Sequence, residues 1–489
     1  MGGHLFDKQN YFTSFSRMLS AFFPCPPPSI AATYIGFIFL FILPQGEVEI
    51  LENTPLYTAL RNFAAKAPLR MHMPGHKGRP LPNFPLEELA ALDFTELPPT
   101  GNLFDGGGAI GEAEALWAEA FHMDSCLFLT GGSTRGVLAA LTLACKPGDT
   151  VLLDRGSHRS AYNALALLDL KPVYLERPWL EDAGVTGPIS PERVEEMLKA
   201  HPGSKAFCLT SPTYYGVLSD LPALAEVVHR HGAILVVDGA HGAHLPFLGD
   251  YGQRAADLLV VSAHKTLPAP GQTALLLSNG AFSHADLRRA ASLYGSSSPS
   301  YAMMAALDLC RAHILESGAA AYHQTAEQVA RLRRRFPALT PQSALLDPTR
   351  LTLLSPDGYR AQRALEEQNV WPEMADGGHV VLIPTCADGP ADFARLETAL
   401  EQIQLGPCPG YPPPPPPPEM ALSPRQALFA PRRALPLEQA VGHISAGQVA
   451  PYPPGVPVIA PGEVVDKKSI AYLKQIGYNT LEDVSVAVL

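Results

Sequence analysis

ILVVDGAHGAH (234–244) and LLVVSAHK (258–265) each run a short apolar stretch into a cluster of polar residues, and that junction decides the fold. A brief run of consecutive apolar residues bounded by turn formers describes a strand buried on both faces. The same pattern recurs in both directions. Upstream lie CLFL (126–129), VLL (151–153), PVYL (172–175) and AFCL (206–209), and downstream lies ALLL (274–277). Helical stretches such as 191–200 and 221–231 separate several of these runs. Continuous apolar strands alternating with helices predict an α/β architecture on a parallel sheet covered on both faces.

The residues just past the end of each run carry the chemistry. The first run leads into TGGSTRG (130–136), the second into DRGSHRS (154–160) and the fourth into TSPTYYG (210–216). The fifth leads into DGAHGAH (238–244) and the sixth into SAHK (262–265). Five strands therefore end in Ser, Thr, His, Asp or Lys at the edge of the sheet where α/β proteins bind their ligands.

Three of these ends each admit two readings. In TGGSTRG the glycines allow close backbone approach, and Ser133 and Thr134 open an apolar helix. Unpaired N–H groups, the helix dipole and two hydroxyls suit a phosphate; an ordinary capped helix start is the alternative. Lys265 just beyond a buried strand fits an amine that loses its proton and condenses with a carbonyl, or one half of a structural ion pair. Asp238 at the end of ILVVD fits a partner for a protonated ring nitrogen, or a turn aspartate before Gly239. Phosphate cradle, reactive lysine and ring-nitrogen carboxylate are together the three anchors that pyridoxal phosphate requires.

Asp238 followed by His241, and His241 followed 24 residues later by Lys265, matches the order in fold-type-I pyridoxal phosphate enzymes. More narrowly, the sequence resembles the Orn/Lys/Arg decarboxylase family. The resemblance rests on MHMPGHKGRP (71–80), LTGGSTRG (129–136), DRGSHRS (154–160), SPTYYGVLSDL (211–221), VDGAHGAH (237–244), SAHKTLPAPGQTALL (262–276), SSSPSYAMMAALD (296–308) and APYPPGVPVIAPGE (450–463). It implies a fold-type-I large domain with a mostly parallel sheet, a small α/β domain and a C-terminal decarboxylase domain, in the shorter bacterial form without an N-terminal wing domain. It implies removal of the α-carboxyl group of arginine, lysine or ornithine with pyridoxal 5'-phosphate, in polyamine metabolism; the alternatives are another fold-type-I reaction, such as transamination or β-elimination, and a non-catalytic paralogue.

The resemblance also assigns roles. Lys265 would hold the cofactor covalently, Asp238 would keep its ring nitrogen protonated, and His158 would stack on the ring with Ala240 beneath. Ser133, Thr134, Ser262 and His264 would contact the phosphate, with His241 near the ring oxygen or Asp238, and Thr213 at the border. Ser297 would reach the phosphate of a neighbouring subunit, which implies a homodimer or larger homo-oligomer. The family commonly has NGTS or NGST where this chain has GGST, and an acidic pair where it reads GNLFD (101–105); both departures bear on substrate geometry. The substrate's distal cation needs a carboxylate, for which Glu463 is a candidate; a solvated turn acid is the other reading. Transamination on this fold uses an arginine for the substrate carboxylate, and Arg350 and Arg360 are open candidates.

Composition narrows the field further. The 489 residues are 47% hydrophobic and 17% charged, enough for a large core and against wholesale disorder. A formal charge of −11 disfavours a nucleic-acid partner, which needs a basic face. Seven scattered cysteines without a CxxC fit neither a disulfide framework nor a zinc set, and suit the reducing cytoplasm. No metal is expected, because the HxxH pair at His241 and His244 has no third ligand in place. GGGAIG (106–111) fits a dinucleotide motif in letters only, since no strand precedes it.

Domain boundaries come from composition shifts. An apolar extension, 1–47, includes IAATYIGFIFLFIL (30–43), which is short for a membrane span. A cofactor-binding large domain is expected over 48–305 and a small α/β domain over 306–405. A proline-rich linker, 406–418, contains seven consecutive prolines, which form a stiff rod without N–H donors. A C-terminal domain, 419–489, completes the chain.

Overall fold

The computed structural model describes residues 66–71, 94–98, 100–342, 344–408, 412–451, 455–477 and 483–488. The apolar stretch 30–43 and most of the MHMPGHKGRP block lie outside the described residues. Contacts divide the chain into two compact units, Met1–Ala67 and Pro68–Leu489, and the second carries every strand and helix below.

Its centre is a seven-stranded sheet. The strands are β1 (Ser125–Leu129), β2 (Thr150–Asp154), β3 (Lys171–Leu175), β4 (Ala206–Thr210), β5 (Ile234–Asp238), β6 (Leu258–Val261) and β7 (Ala274–Ser278). Their spatial order is β1-β7-β6-β5-β4-β2-β3. Every strand expected from an apolar run is present. All residues of β4, β6 and β7 are buried, as helices on both faces require. At roughly 1.5–3 kcal/mol for each Val or Leu removed from water, this sheet supplies the dominant stabilisation of the unit.

The sheet departs from the parallel expectation at one strand. β2 through β6 pair in parallel, but β7 runs antiparallel to both β6 and β1. The link from β6 to β7 contains only the four-residue helix Ala263–Thr266, too little for the helical crossover that a parallel return needs. An apolar run reports burial on both faces and carries no information on direction. Helix Gly132–Ala144 packs tightly over this region: a Cβ on Gly136 would lie 2.6 Å from Val260 Cγ1 and 2.8 Å from Leu129 Cδ1.

Two smaller cores lie later in the chain. An antiparallel three-stranded sheet orders Leu351–Leu354, His379–Leu382 and Met374–Ala375. It packs with Val329, Leu332, Phe393 and Leu396. The expected boundary at 305/306 falls inside helix Tyr301–His313. Leu307, Cys310, Ile314 and Tyr322 still belong to the large core. The chain stays helical through a π-turn, Ile314–Gly318, into Ala319–Arg335, so the passage between cores is a helix and leaves no turn signal in the sequence. The third core gathers Leu437, Ile459, Val465, Leu473 and Val486 beside the antiparallel pair of Arg432–Leu435 and Val484–Ala487.

Candidate active site

The carboxyl ends of β1, β2, β4 and β5 and the turn after β6 open onto one cavity of about 980 Å³. Parallel strands of similar length end on one edge, so residues far apart in sequence converge there. Ser133, Thr134, His158, Thr213, Asp238, Ala240, His241, His264 and Lys265 all line it. Ser262 is buried just behind, where its Oγ donates to Ser133 Oγ at 2.8 Å. Ser297 is exposed and does not line the cavity of its own chain.

Gly131 is the N-cap of helix Gly132–Ala144, and no side chain caps it. The Gly132 N–H donates to the Gln272 carbonyl at 2.7 Å, so serine and threonine sit inside the first turn with their own N–H groups left for a ligand. A phosphate fits this helix end, with the Ser133 and Thr134 hydroxyls beside it. His264 Nδ1 donates to the Thr273 carbonyl at 2.9 Å, which fixes the ring beside the same helix end.

Lys265 Nζ lies 3.1 Å from His241 Nε2. Burial pulls the lysine below its ordinary value, while Asp238 and Glu373 pull the other way. Burial raises Asp238, and Lys265 and the Ala240 N–H oppose that rise. The two groups thus share a low-dielectric site where each steadies the other's charge. Burial, then Lys265 and Arg159, lower His158 to about 4, so its ring is neutral near pH 7. His158 Nδ1 accepts from the Ser160 N–H at the start of helix Arg159–Leu167, which holds the imidazole plane in place. A buried amine, a buried carboxylate and a fixed neutral ring beside an uncapped helix start fit pyridoxal phosphate as a donor set.

Several lining residues are invisible in sequence. Pro413, Pro414 and Pro415 form part of the wall, so the proline rod borders the cavity as well as linking two cores. Val458 and Tyr472 of the C-terminal core line it too. Tyr214 donates to Glu373, and Tyr215 donates to Asp376 at 2.6 Å, tying the small sheet to the loop after β4. Paired acids flanking Met374–Ala375 were the only sequence signal, and nothing local distinguishes them from surface charges.

Glu463 takes a different place from both readings offered for it. It is fully buried and does not line the cavity. Its two oxygens accept from Arg155 at 2.7 and 2.9 Å, and one also accepts from the Ala460 N–H at 2.7 Å. The carboxylate is neither solvated nor open to a substrate cation; it locks the C-terminal core to the strand end at β2. Glu463→Gln leaves the Arg155 cation without its partner. The expected result is a loss of roughly 3 kcal/mol in urea unfolding, with no change in preference among basic amino acids.

The candidate transaminase arginines are also placed. Arg350 is buried and Arg360 lies on helix Gly358–Glu367, beside a separate cavity. Neither lines the cavity holding Lys265, and the arginines that do, Arg155 and Arg177, are paired with Glu463 and Asp154. Among the described residues no group of three or more His, Cys, Asp or Glu is placed to hold a metal ion. No helix among them is long and apolar enough to cross a membrane.

A mostly parallel sheet with a lysine just after β6 and an acid at the end of β5 is the frame of fold-type-I pyridoxal phosphate enzymes. Residues 54–371 match the Orn/Lys/Arg decarboxylase major domain, and residues 415–480 match that family's C-terminal domain. The chain belongs to the Orn/Lys/Arg decarboxylase family and is an amino-acid decarboxylase. It is 33% identical over 457 residues to the uncharacterized protein YaaO of Bacillus subtilis (strain 168), covering 87% of this chain and 94% of that one. It is 28% identical over 461 residues to the arginine decarboxylase of the same organism, covering 86% and 93%. The constitutive lysine decarboxylase of E. coli shares the fold with a TM-score of 0.68 at 19% identity, covering 80% of this chain and 74% of that one. The family implies pyridoxal phosphate.

Proposed function

We propose that the chain decarboxylates arginine with pyridoxal 5'-phosphate, releasing CO2 and the corresponding amine for polyamine metabolism. The observation that carries this reading is the convergence of Lys265, Asp238, His158 and the uncapped helix start on one cavity. Arginine is the first choice among basic amino acids because relatives spanning nearly the whole chain are arginine decarboxylases.

The residues divide the work. Lys265 is the residue that would hold the cofactor, through its side-chain amine. The Ser133 and Thr134 hydroxyls and the N–H groups of their helix hold the phosphate, with Ser262 orienting Ser133 and His264 alongside. Asp238 keeps the ring nitrogen protonated, and its burial keeps water from competing for that proton. His158 would cover one face of the bound ring and Ala240 the other, with Thr213 and His241 at its border. Bound pyridoxal phosphate supplies the electron sink for the pair left behind when CO2 departs.

A second copy of the chain completes the site in this reading, with the exposed Ser297 reaching the neighbour's phosphate. The six described cysteines are all free, which supports a reducing, cytoplasmic setting. Transamination is disfavoured because the arginines lining the cavity are already paired. Incubating the purified chain and pyridoxal phosphate with arginine, lysine or ornithine tests the proposal. CO2 release fastest from arginine is expected; keto-acid formation without CO2 would overturn it.

A further inference from the structure

We propose that Arg350 is a positioning residue for Lys265: its guanidinium faces His241 from behind and fixes that imidazole with Nε2–H toward the lysine amine. The inference rests on Lys265 being the residue that captures the cofactor.

Arg350 opens the strand Leu351–Leu354 of the small sheet and is almost fully buried. Its Nη1 donates to the Tyr214 carbonyl at 3.3 Å, and its Nη2 lies 3.5 Å from both the carbonyl and Nδ1 of His241. The loop after β4 makes room for it. Gly216 has φ +89°, and a Cβ there would sit 2.6 Å from Arg350 Cγ. The Tyr214 ring meets the imidazole from the side, with centroids 4.6 Å apart. Arg350 thus ties the small sheet to both loops that carry the His241 contacts.

A guanidinium only donates, so the nitrogen it faces must be the one without a proton. The single N–H of the neutral ring then falls on Nε2, which lies 3.1 Å from Lys265 Nζ. An N–H aimed at the amine favours the state with a lone pair. Burial and Lys265, then Arg350, hold His241 well below its ordinary value, so the ring is neutral. Asp238 and Glu373 favour the ammonium of Lys265, while burial and Arg350 oppose it. His158 and His264, both held low by burial, add no positive charge near pH 7, and the carboxylate facing Arg350 is Asp347, 3.9 Å from its Nη2 and on the side that keeps the guanidinium charged. Only the unprotonated amine can attack an aldehyde carbon; that condensation forms a carbon–nitrogen bond and expels one water, whose hydrogens come from the amine.

The test mixes cofactor-free chain with pyridoxal phosphate and follows capture by absorbance across the neutral and alkaline range. With Arg350→Gln the pH midpoint of capture is expected to rise by about one unit, slowing capture roughly tenfold at neutral pH. Arg350→Lys keeps the charge and is expected to keep the midpoint. An Arg350→Gln midpoint equal to that of the unaltered chain overturns the inference while leaving Lys265 as the anchor. An unaltered chain that captures no cofactor overturns the reading of Lys265 and the inference with it. If Arg350→Gln fails to fold, nitrogen NMR of histidine-labelled unaltered chain decides, with the His241 signals assigned from His241→Gln. A proton on Nε2 supports the inference, and one on Nδ1 or on both nitrogens overturns it.

Discussion

Lys265→Ala is expected to yield a folded, colourless protein that releases CO2 from arginine at least ~10³-fold more slowly than the unaltered chain. The size of the effect comes from the site. Lys265 is the only lysine lining the cavity among the described residues, so no neighbouring amine can stand in for it. The change deletes the covalent hold and the exchange of that hold for the substrate amine together. Folding should survive, because Nζ bonds a neutral ring, His241, and the Asp238 carboxyl that loses its cationic neighbour is already pushed toward the neutral form by burial. Absorbance at the visible edge, its loss on borohydride treatment of the unaltered chain, and CO2 release are the three measurements. A yellow alanine variant with full activity would remove Lys265 from the chemistry altogether.

The sheet and the reacting end of the site were readable because each depends on local pattern. β1 to β7 are apolar runs, and a strand's carboxyl end is the residue after its run, so Asp238, Lys265, His158 and Ser133 could be assigned to one edge before their distances were known. The outer walls depend on contacts between residues hundreds of positions apart. Arg155 reaches Glu463 across 308 residues, and Arg350 reaches Tyr214 across 136, with no spacing rule to connect them. A run of prolines reports only stiffness, which fits a linker and a wall equally well. The reversed β7 belongs to the same class: direction is a property of the whole sheet, and no single strand encodes it.

Raising the pH from about 7 to about 10 is expected to unfold the small sheet's junction with the large core, and His379 is the reason. Its Nδ1 bonds Asp376 at 2.8 Å and its Nε2 bonds the Ala183 carbonyl at 2.7 Å, so both nitrogens donate and the ring is cationic. Burial opposes that charge, but the Asp376 and Cys408 contacts and the Ala183 carbonyl outweigh it and raise the imidazole from 6.5 to about 10. The folded group holds its proton more tightly than the unfolded one. Its contribution is therefore complete below 6.5 and is lost progressively up to about pH 10, a difference on the order of 5 kcal/mol. Asp376 also accepts from Tyr215, which belongs to the loop lining the cofactor cavity, so the loss should reach the site. The expected observation is a melting temperature that falls steeply between pH 7 and pH 10 in the unaltered chain. In His379→Gln the melting temperature should start lower at pH 7, because the glutamine amide nitrogen replaces only one of the two donors, and change little over the same span, because it has no proton to lose. Parallel slopes in the two proteins would assign the alkaline loss to other groups and leave His379 as a neutral packing residue.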